Sequence, residues 1–216
     1  MNYYFITPDL NLNVVSVSDQ IRITSDYRIE DSKFIDNFYF EEVCKPKLAN
    51  AVLEHRAKLT DYIDISASGF SHRLLISDKL KNILSNSIKE RFQFFRNKVY
   101  QNNQGYDFWL VHPISDGLNW INFSKSELVL RKRKRQGGTV LVNYPKINSA
   151  EKFLNEVMRL KTEKKRLMLN KVHILDGRID FFCLRYVVGG VKYIVSEKIK
   201  SEIEYQKITG LKFEII

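Results

Sequence analysis

The chain of 216 residues contains little cysteine, histidine or proline, and each scarcity argues against a class of protein. Its two cysteines, Cys44 and Cys183, stand alone rather than in a Cys-x-x-Cys pair, so we expect both to be reduced and structural. Its four histidines show neither His-x-His nor His-Glu-x-x-His spacing, and we therefore expect no metal site. No low-complexity tract interrupts the sequence, which predicts that the whole chain folds.

Long apolar runs are missing as well. A run such as Phe108–Val111 is far shorter than the roughly 18 to 20 residues that a membrane-spanning helix requires. The segment Met1–Asp9 lacks the basic start and the long apolar stretch of a secretory signal, and it predicts a first strand instead. These absences predict a soluble, cytoplasmic protein without membrane insertion.

The sequence also lacks the common signatures of catalysis. Ser77 and Ser196 are not part of a Gly-x-Ser-x-Gly elbow, and Gly137-Gly138 and Gly189-Gly190 lack the residues that complete a phosphate-binding loop. Turns and helix caps explain the two closely spaced carboxylate pairs better than acid–base chemistry does: Asp61 with Asp64, and Asp176 with Asp180. We therefore expect a binding protein with no catalytic residue and no cofactor.

What the chain does contain is one short motif twice, at Leu75–Leu84 and Ile194–Ile203. In each copy an apolar run meets a serine, an acidic residue and a lysine, and apolar residues then follow at helical spacing. This pattern predicts a strand that turns into a helix, with the serine as N-cap and the acid in the first turn. The motif residues, which we expect to be structural, are Ser77, Asp78, Lys79, Ser196, Glu197 and Lys198.

The two serines lie 196 − 77 = 119 positions apart, and the same offset aligns Phe92 with Leu211 and Phe94 with Phe213. A strand is therefore predicted after each helix, and the repeated offset favours an internal duplication. We expect an α+β fold of two related strand–helix–strand units with antiparallel hairpins, packed as one compact protein. Residues 1–125 would form the first unit and residues 126–216 the second.

Further segments have recognisable patterns. The apolar spacing of Pro46–Leu59 predicts a helix, and Asn148–Glu151 resembles a capping box that opens another. Leu167–Leu175 and Ile179–Val188 are predicted to be strands joined as a hairpin at Asp176-Gly177. A second turn is predicted at the glycines that precede the second serine motif.

The chain carries 35 basic and 25 acidic residues, a net charge of +10, and five consecutive cations form its most concentrated positive segment. Leu128–Leu130 and Thr139–Val142 flank this segment as predicted strands, which places the cations on a hairpin. Three interpretations stay open: a solvated hairpin tip, a docking site for an acidic protein, or phosphate contacts with nucleic acid. The cations are Arg131, Lys132, Arg133, Lys134 and Arg135.

The two serine motifs, with the ending Thr209–Phe213, resemble a family of bacterial immunity proteins named after a Myxococcus immunity protein. These proteins are found beside toxins of contact-dependent or secretion-system competition. Members often end with a strand, Ser-Glu-Lys/Arg-Leu-Lys, a helix and Thr-Gly-x-x-Phe, and Ser196–Lys200 begins such an ending here. The segment Trp120–Glu127 is similar to one that follows the first unit, with Asn122 where an acid is common.

This resemblance, which covers roughly Asp61 to Ile216, implies an immunity protein that binds a cognate antibacterial toxin and neutralises it by occluding or distorting its active site. Such a protein needs no catalytic residue, and the serine motif would serve as scaffold. We expect the five consecutive cations to contact the toxin, which favours a toxin with an acidic face. The alternative is a basic nucleic-acid-binding protein.

Overall fold

Two β-sheets and the helices packed against them form an α+β fold, as the sequence predicted. The computed structural model describes residues 2–15, 21–23, 28–65, 72–86, 92–133, 138–175 and 179–216. The strands of the first sheet are β1 (Tyr3–Pro8), β8 (Glu127–Arg133), β9 (Thr139–Tyr144), β10 (Arg166–Lys171), β11 (Phe181–Val187), β12 (Gly190–Ser196) and β13 (Leu211–Ile215). The strands of the second are β2 (Ile21–Ile23), β3 (Ala51–Leu53), β4 (Tyr62–Ile63), β5 (Leu74–Ile76), β6 (Phe92–Gln101) and β7 (Gln104–Pro113).

The helices in these ranges are α1 (Leu12–Val15), α2 (Asp78–Ser85), α3 (Ala150–Thr162) and α4 (Glu197–Tyr205), and short 3₁₀ turns lie at Ile35–Asn37 and Leu118–Trp120. Within the described ranges, no helix has both the length and the apolar character needed to cross a membrane. The helix predicted to open at Asn148–Glu151 is α3, and its N-cap is Ser149, which accepts a hydrogen bond from the Lys152 N–H at 3.3 Å.

The strand order is β13-β1-β12-β11-β10-β8-β9 in the seven-stranded sheet and β2-β3-β6-β7-β5-β4 in the six-stranded sheet. Four strands of each sheet share one arrangement: β6-β7-β5-β4 in one and β13-β1-β12-β11 in the other, with every neighbouring pair antiparallel. In both, the chain passes from a strand through a helix to a parallel strand two places away. Equivalent residues pair in the two arrangements. Tyr62 pairs with Ile76 in one, and Phe181 pairs with Val195, each 119 positions later, in the other.

The first strand of the chain belongs to the second of these arrangements. β1 lies between β12 and β13 and pairs with both. The seven-stranded sheet therefore unites the two ends of the chain.

Helices α2 and α4 pack together over a core to which both sheets contribute. Leu80, Ile83, Ile199 and Ile203 of the two helices are buried in one cluster with residues of β1, β5 and β12. Burying a side chain of this size contributes about 1.5–3 kcal/mol. A second cluster lies under α3, and a third surrounds β3 and the far ends of β6 and β7. The shared cluster holds the two serine motifs close together.

The helix predicted for Pro46–Leu59 is wrong. The segment forms β3, whose Ala51 pairs in parallel with Val99 of β6. Its buried residues alternate, with Ala49, Ala51 and Leu53 in the core. Burial at every second position is the pattern of a strand, and it prevailed over the helical spacing of the larger apolar residues.

The predicted hairpin between Leu167–Leu175 and Ile179–Val188 is also wrong, although both segments contain a strand. β10 and β11 are parallel neighbours, joined by the pair Leu169 and Val187. The chain leaves β10 to meet the Trp120 region, where the Leu175 N–H donates to the Trp120 carbonyl at 2.8 Å. Asp176 and Gly177 lie outside the described residues. The turn at Gly189-Gly190 is confirmed as the antiparallel connection of β11 to β12.

Candidate functional site

The two motif serines are helix N-caps, as predicted. The Ser77 hydroxyl accepts a hydrogen bond from the Leu80 N–H at 3.3 Å, and Ser196 accepts one from Ile199 at 3.5 Å. Both serines have extended backbone angles, which direct the side chain back over the first turn. The following acid, Asp78 in α2 or Glu197 in α4, lies in that positive first turn.

Each serine is also bonded to an aspartate 16 positions earlier. The Ser77 hydroxyl donates to Asp61 Oδ1 at 2.8 Å, and the Ser196 hydroxyl donates to Asp180 Oδ1 at the same distance. The backbone N–H of each serine donates to the backbone carbonyl of the same aspartate. Each hydroxyl donates its hydrogen bond to a carboxylate of the same fold. We therefore interpret the serine–aspartate pairs as structural contacts.

The motif lysines also make contacts within the fold. Lys79 Nζ donates to the backbone carbonyl of Gln206 at 2.5 Å, which ties α2 to the end of α4. Lys198 Nζ lies 3.4 Å from Asp180 Oδ2 in an exposed ion pair. Both contacts are on the surface, where such contacts add little free energy.

An aromatic residue and a second lysine complete each motif. The Trp109 indole N–H donates to Asp78, and Lys81 Nζ lies 4.7 Å from the centre of the Trp109 ring. The second motif repeats these contacts with Glu197 as the acid, Tyr4 as the ring and Lys200 as the cation, at 5.1 Å. The hydrogen bond to Glu197 raises the pKa of the Tyr4 hydroxyl. Trp109 belongs to β7 and Tyr4 to β1, and these two residues are not related by the offset that separates the two serines. The contacts are nevertheless the same.

The predicted basic hairpin is present as β8 and β9, which pair antiparallel. Arg131 faces Leu141, and Lys132 faces Val140, with both cations exposed. The backbone of Arg133 pairs with Thr139, whereas Lys134 and Arg135 lie outside the described residues. The structure thus brings the described cations of the run to the edge of the seven-stranded sheet.

One further cation at this edge was missed by the sequence analysis. Arg166, the first residue of β10, lies directly opposite Arg131 on the other side of β8. Both side chains are exposed, and neither has an ion-pair partner among the described residues. Like charges placed opposite each other on neighbouring strands oppose folding. No sequence signal identified Arg166, which resembled the basic end of the preceding helix.

Exposed apolar side chains lie beside these cations. Val140, Leu141 and Val142 of β9 expose 38%, 44% and 41% of their surfaces. Strand alternation directs Leu141 to the same face as Arg131 and Arg166, and Val140 to the face of Lys132. We call the six residues the basic edge: Arg131, Lys132, Val140, Leu141, Val142 and Arg166.

The serine motifs and the basic edge are separate places on the molecule. The second serine motif begins in β12, and β9 is four strands away from it. Because neighbouring strands lie about 4.8 Å apart, roughly 19 Å separates β12 from β9 across the sheet. The structure therefore does not join the two sets of residues that the sequence selected.

A buried charged group lies on the other sheet. Arg73 donates to Asp36 Oδ1 at 2.6 Å, to the carbonyls of Ile35 and Phe38, and through Nε to His112 Nδ1 at 3.1 Å. Since His112 Nδ1 accepts this bond, the ring is neutral and its Nε2–H donates to the Glu41 carbonyl at 2.8 Å. The group fastens the segment 35–41 to the end of β5 and has no solvent-facing reactive atom.

His72 lies next to this group, stacked on Tyr39 and Phe40. Burial, with the charge of Arg73 nearby, lowers the pKa of His72 to about 3, and burial also lowers the pKa of His112. Within the described ranges, no cluster of histidine, cysteine and carboxylate side chains has the composition of a metal site.

No protein-family model, curated protein or solved structure matches this chain.

Proposed function

We propose that this protein is an immunity protein that binds a cognate antibacterial toxin in the cytoplasm and neutralises it by occluding or distorting its active site. The observation that carries the proposal is the pair of arginines, Arg131 and Arg166, exposed opposite each other on β8 and β10, the two strands next to the edge strand β9. Neutralisation by binding requires no catalytic residue, and the resemblance of the serine motifs to immunity proteins points the same way.

The two arginines indicate an acidic partner. Holding Arg131 and Arg166 side by side costs free energy in the isolated protein, and an anionic group between them removes that cost. Arginine forms bidentate hydrogen bonds with carboxylates, so an aspartate or glutamate of the toxin fits this position. A net charge of +10 would accelerate the encounter with an acidic face.

The apolar side chains of the basic edge favour a protein over a nucleic acid. Val140, Leu141 and Val142 are aliphatic and exposed next to the cations. Single-stranded nucleic acid is usually held by aromatic rings that stack on bases, whereas aliphatic side chains ringed by charge are typical of protein interfaces. A toxin surface with acidic residues around an apolar centre would match both features.

The serine motifs have a different role in this proposal. Their contacts to Asp61 and Asp180 are internal, so we assign them to the scaffold that positions the basic edge. The repeated register, caps and lysine–aromatic contacts support an origin by internal duplication. β10, β8 and β9 extend the sheet beyond the second arrangement, and they form the edge at which the toxin would bind.

The test uses the neighbouring gene. If it encodes a secreted protein with a variable C-terminal toxin, that toxin region is expressed in bacteria with and without this protein. We expect growth arrest by the toxin alone, rescue by co-expression and a complex that co-purifies. A toxin that neither binds nor is neutralised contradicts the proposal.

A second measurement separates the nucleic-acid alternative. Binding of the free protein to a labelled DNA duplex and to single-stranded RNA is measured between about 50 and 200 mM salt. Tight binding that falls steeply with salt, together with failure to protect from the toxin, would favour a nucleic-acid-binding protein. We expect weak binding to both probes.

A further inference from the structure

The described strands end in four sheet edges, and three of them are protected. β4 is two residues long, and its Tyr62 N–H is already bonded to the Thr209 carbonyl at 3.0 Å. β2 is three residues long. β13 carries Lys212 and Glu214 within its five residues. Short length, coverage and charge are the usual means by which proteins prevent an edge from pairing with another chain.

The fourth edge, β9, shows none of these protections among the residues that the structure describes. It is six residues long, contains no charged residue and no proline, and exposes its three central apolar side chains. Because alternate residues of an antiparallel edge strand direct both backbone groups away from the neighbour, every second residue of β9 presents a free N–H and C=O outward. Such an edge is a template for one more strand.

The charge beside β9 selects the strand it would accept. Arg131 and Lys132 lie one strand behind β9, on opposite faces, and Arg166 lies one strand further on the face of Arg131. Strands are about 4.8 Å apart, so the long side chain of Arg131 can reach across β9 toward an acidic side chain on an added strand. A second copy of this chain would carry the same net charge of +10 and the same cations beside its own β9, which disfavours self-pairing.

We infer that β9 binds its partner by strand addition: an extended, acidic segment of a protein pairs with Thr139–Tyr144 and continues the seven-stranded sheet. Main-chain hydrogen bonds from alternate residues of β9 supply the pairing, and Leu141 with Arg131 selects apolar and acidic side chains on one face. This inference rests on the proposed function for the identity of the partner, which is the toxin.

Hydrogen exchange of the complex tests the pairing. Amide exchange of β9 is measured in the free protein and in the complex with the toxin region encoded by the neighbouring gene. We expect the outward-facing amides of β9 to exchange rapidly in the free protein and at least tenfold more slowly in the complex. Amides of α3 serve as the internal control, since they are already bonded within the helix.

Proline variants give an independent measurement. Leu141 and Val142 are adjacent in β9, so the N–H of one faces β8 and the N–H of the other faces outward. Substitution of each by proline, in Leu141→Pro and Val142→Pro, removes one of these two N–H groups. The variant that lacks the outward N–H, which we call the outward variant, is the one whose unfolding midpoint equals that of the parent protein. We expect it to bind the toxin at least tenfold more weakly than the threonine variant at the same position, which retains the N–H.

The outcomes are distinguishable. If no complex forms with the toxin, the proposed function fails and the strand-addition inference fails with it. If a complex forms but β9 exchanges as in the free protein, and the outward proline variant binds normally, only the inference is overturned. Protection of β9 that rises with protein concentration in the absence of toxin would assign the edge to a second copy and also overturn it.

Discussion

The Ser77 hydroxyl donates a hydrogen bond to Asp61 Oδ1 over 2.8 Å, and the backbone groups of the same two residues are bonded as well. The Asp61 carboxylate also accepts hydrogen bonds from the N–H and the hydroxyl of Thr209, both at 3.0 Å. Asp61 thereby joins the first serine motif to the segment that leads into the last strand. The equivalent pair, Ser196 and Asp180, is bonded at the same distance.

Replacement of Ser196 by alanine should lower the free energy of unfolding by about 1–3 kcal/mol, because it removes the N-cap of α4 and the donor to Asp180. Urea unfolding measures the loss. Ser201→Ala, an exposed position within the same helix, is the matched control and should leave stability nearly unchanged. Lost toxin affinity at full stability would contradict the assignment of the serine to the scaffold.

Stability should decrease as the pH falls from about 6.5 to 5. His72 and His112 have lowered pKa values in the folded protein, so in this range the unfolded chain binds protons that the folded chain does not. Each such proton contributes a slope of up to about 1.4 kcal/mol per pH unit. Urea unfolding midpoints measured at several pH values check the slope.

His72→Asn removes one of these titrations, and asparagine tolerates the positive φ of this position. The variant should therefore show a shallower dependence of stability on pH than the parent. His55→Asn, at an exposed site, is the control and should retain the parent slope. Equal slopes in all three proteins would show that His72 does not contribute to the acid sensitivity.

Gly210→Ala should be strongly destabilising, by about 3 kcal/mol or more. Gly210 has φ +90°, and a Cβ there would lie 2.1 Å from the Tyr62 carbonyl oxygen. Gly138→Ala separates the two causes, because its φ is +78° but nothing lies within 4 Å of the added Cβ. We expect Gly138→Ala to cost only about 1–2 kcal/mol, and thermal unfolding of both variants checks the difference.

Reversal of two cations, Arg131→Glu with Lys132→Glu, should slow association with an acidic toxin by at least tenfold at low salt. The effect should shrink as salt is added, since screening weakens the attraction. The control reverses two exposed lysines away from the edge, Lys125 and Lys207, and has the same net charge. Equal association rates for the two variants in stopped-flow mixing would exclude the basic edge as the docking surface.

Several features were predictable because they depend on residues close in sequence. A serine followed by an acid and helical spacing was sufficient to place the N-caps Ser77 and Ser196. Short apolar runs placed the strands of the basic hairpin, and glycines placed the turn before β12. The helix predicted at Pro46–Leu59 failed because the small residues Ala49 and Ala51, which carry weak hydrophobic signals, are the ones that the core buries.

The sequence by itself determined the local elements, the repeated motif and the positive charge of the hairpin, since caps, turns and periodicity act over a few residues. Only the tertiary structure decided which aspartate each serine meets, that β1 lies between β12 and β13, and that Arg166 on β10 faces Arg131 on β8. Those relationships join residues separated by 16, more than 180 and 35 positions. Strand order and register set them, and both depend on which apolar faces the whole chain can bury together.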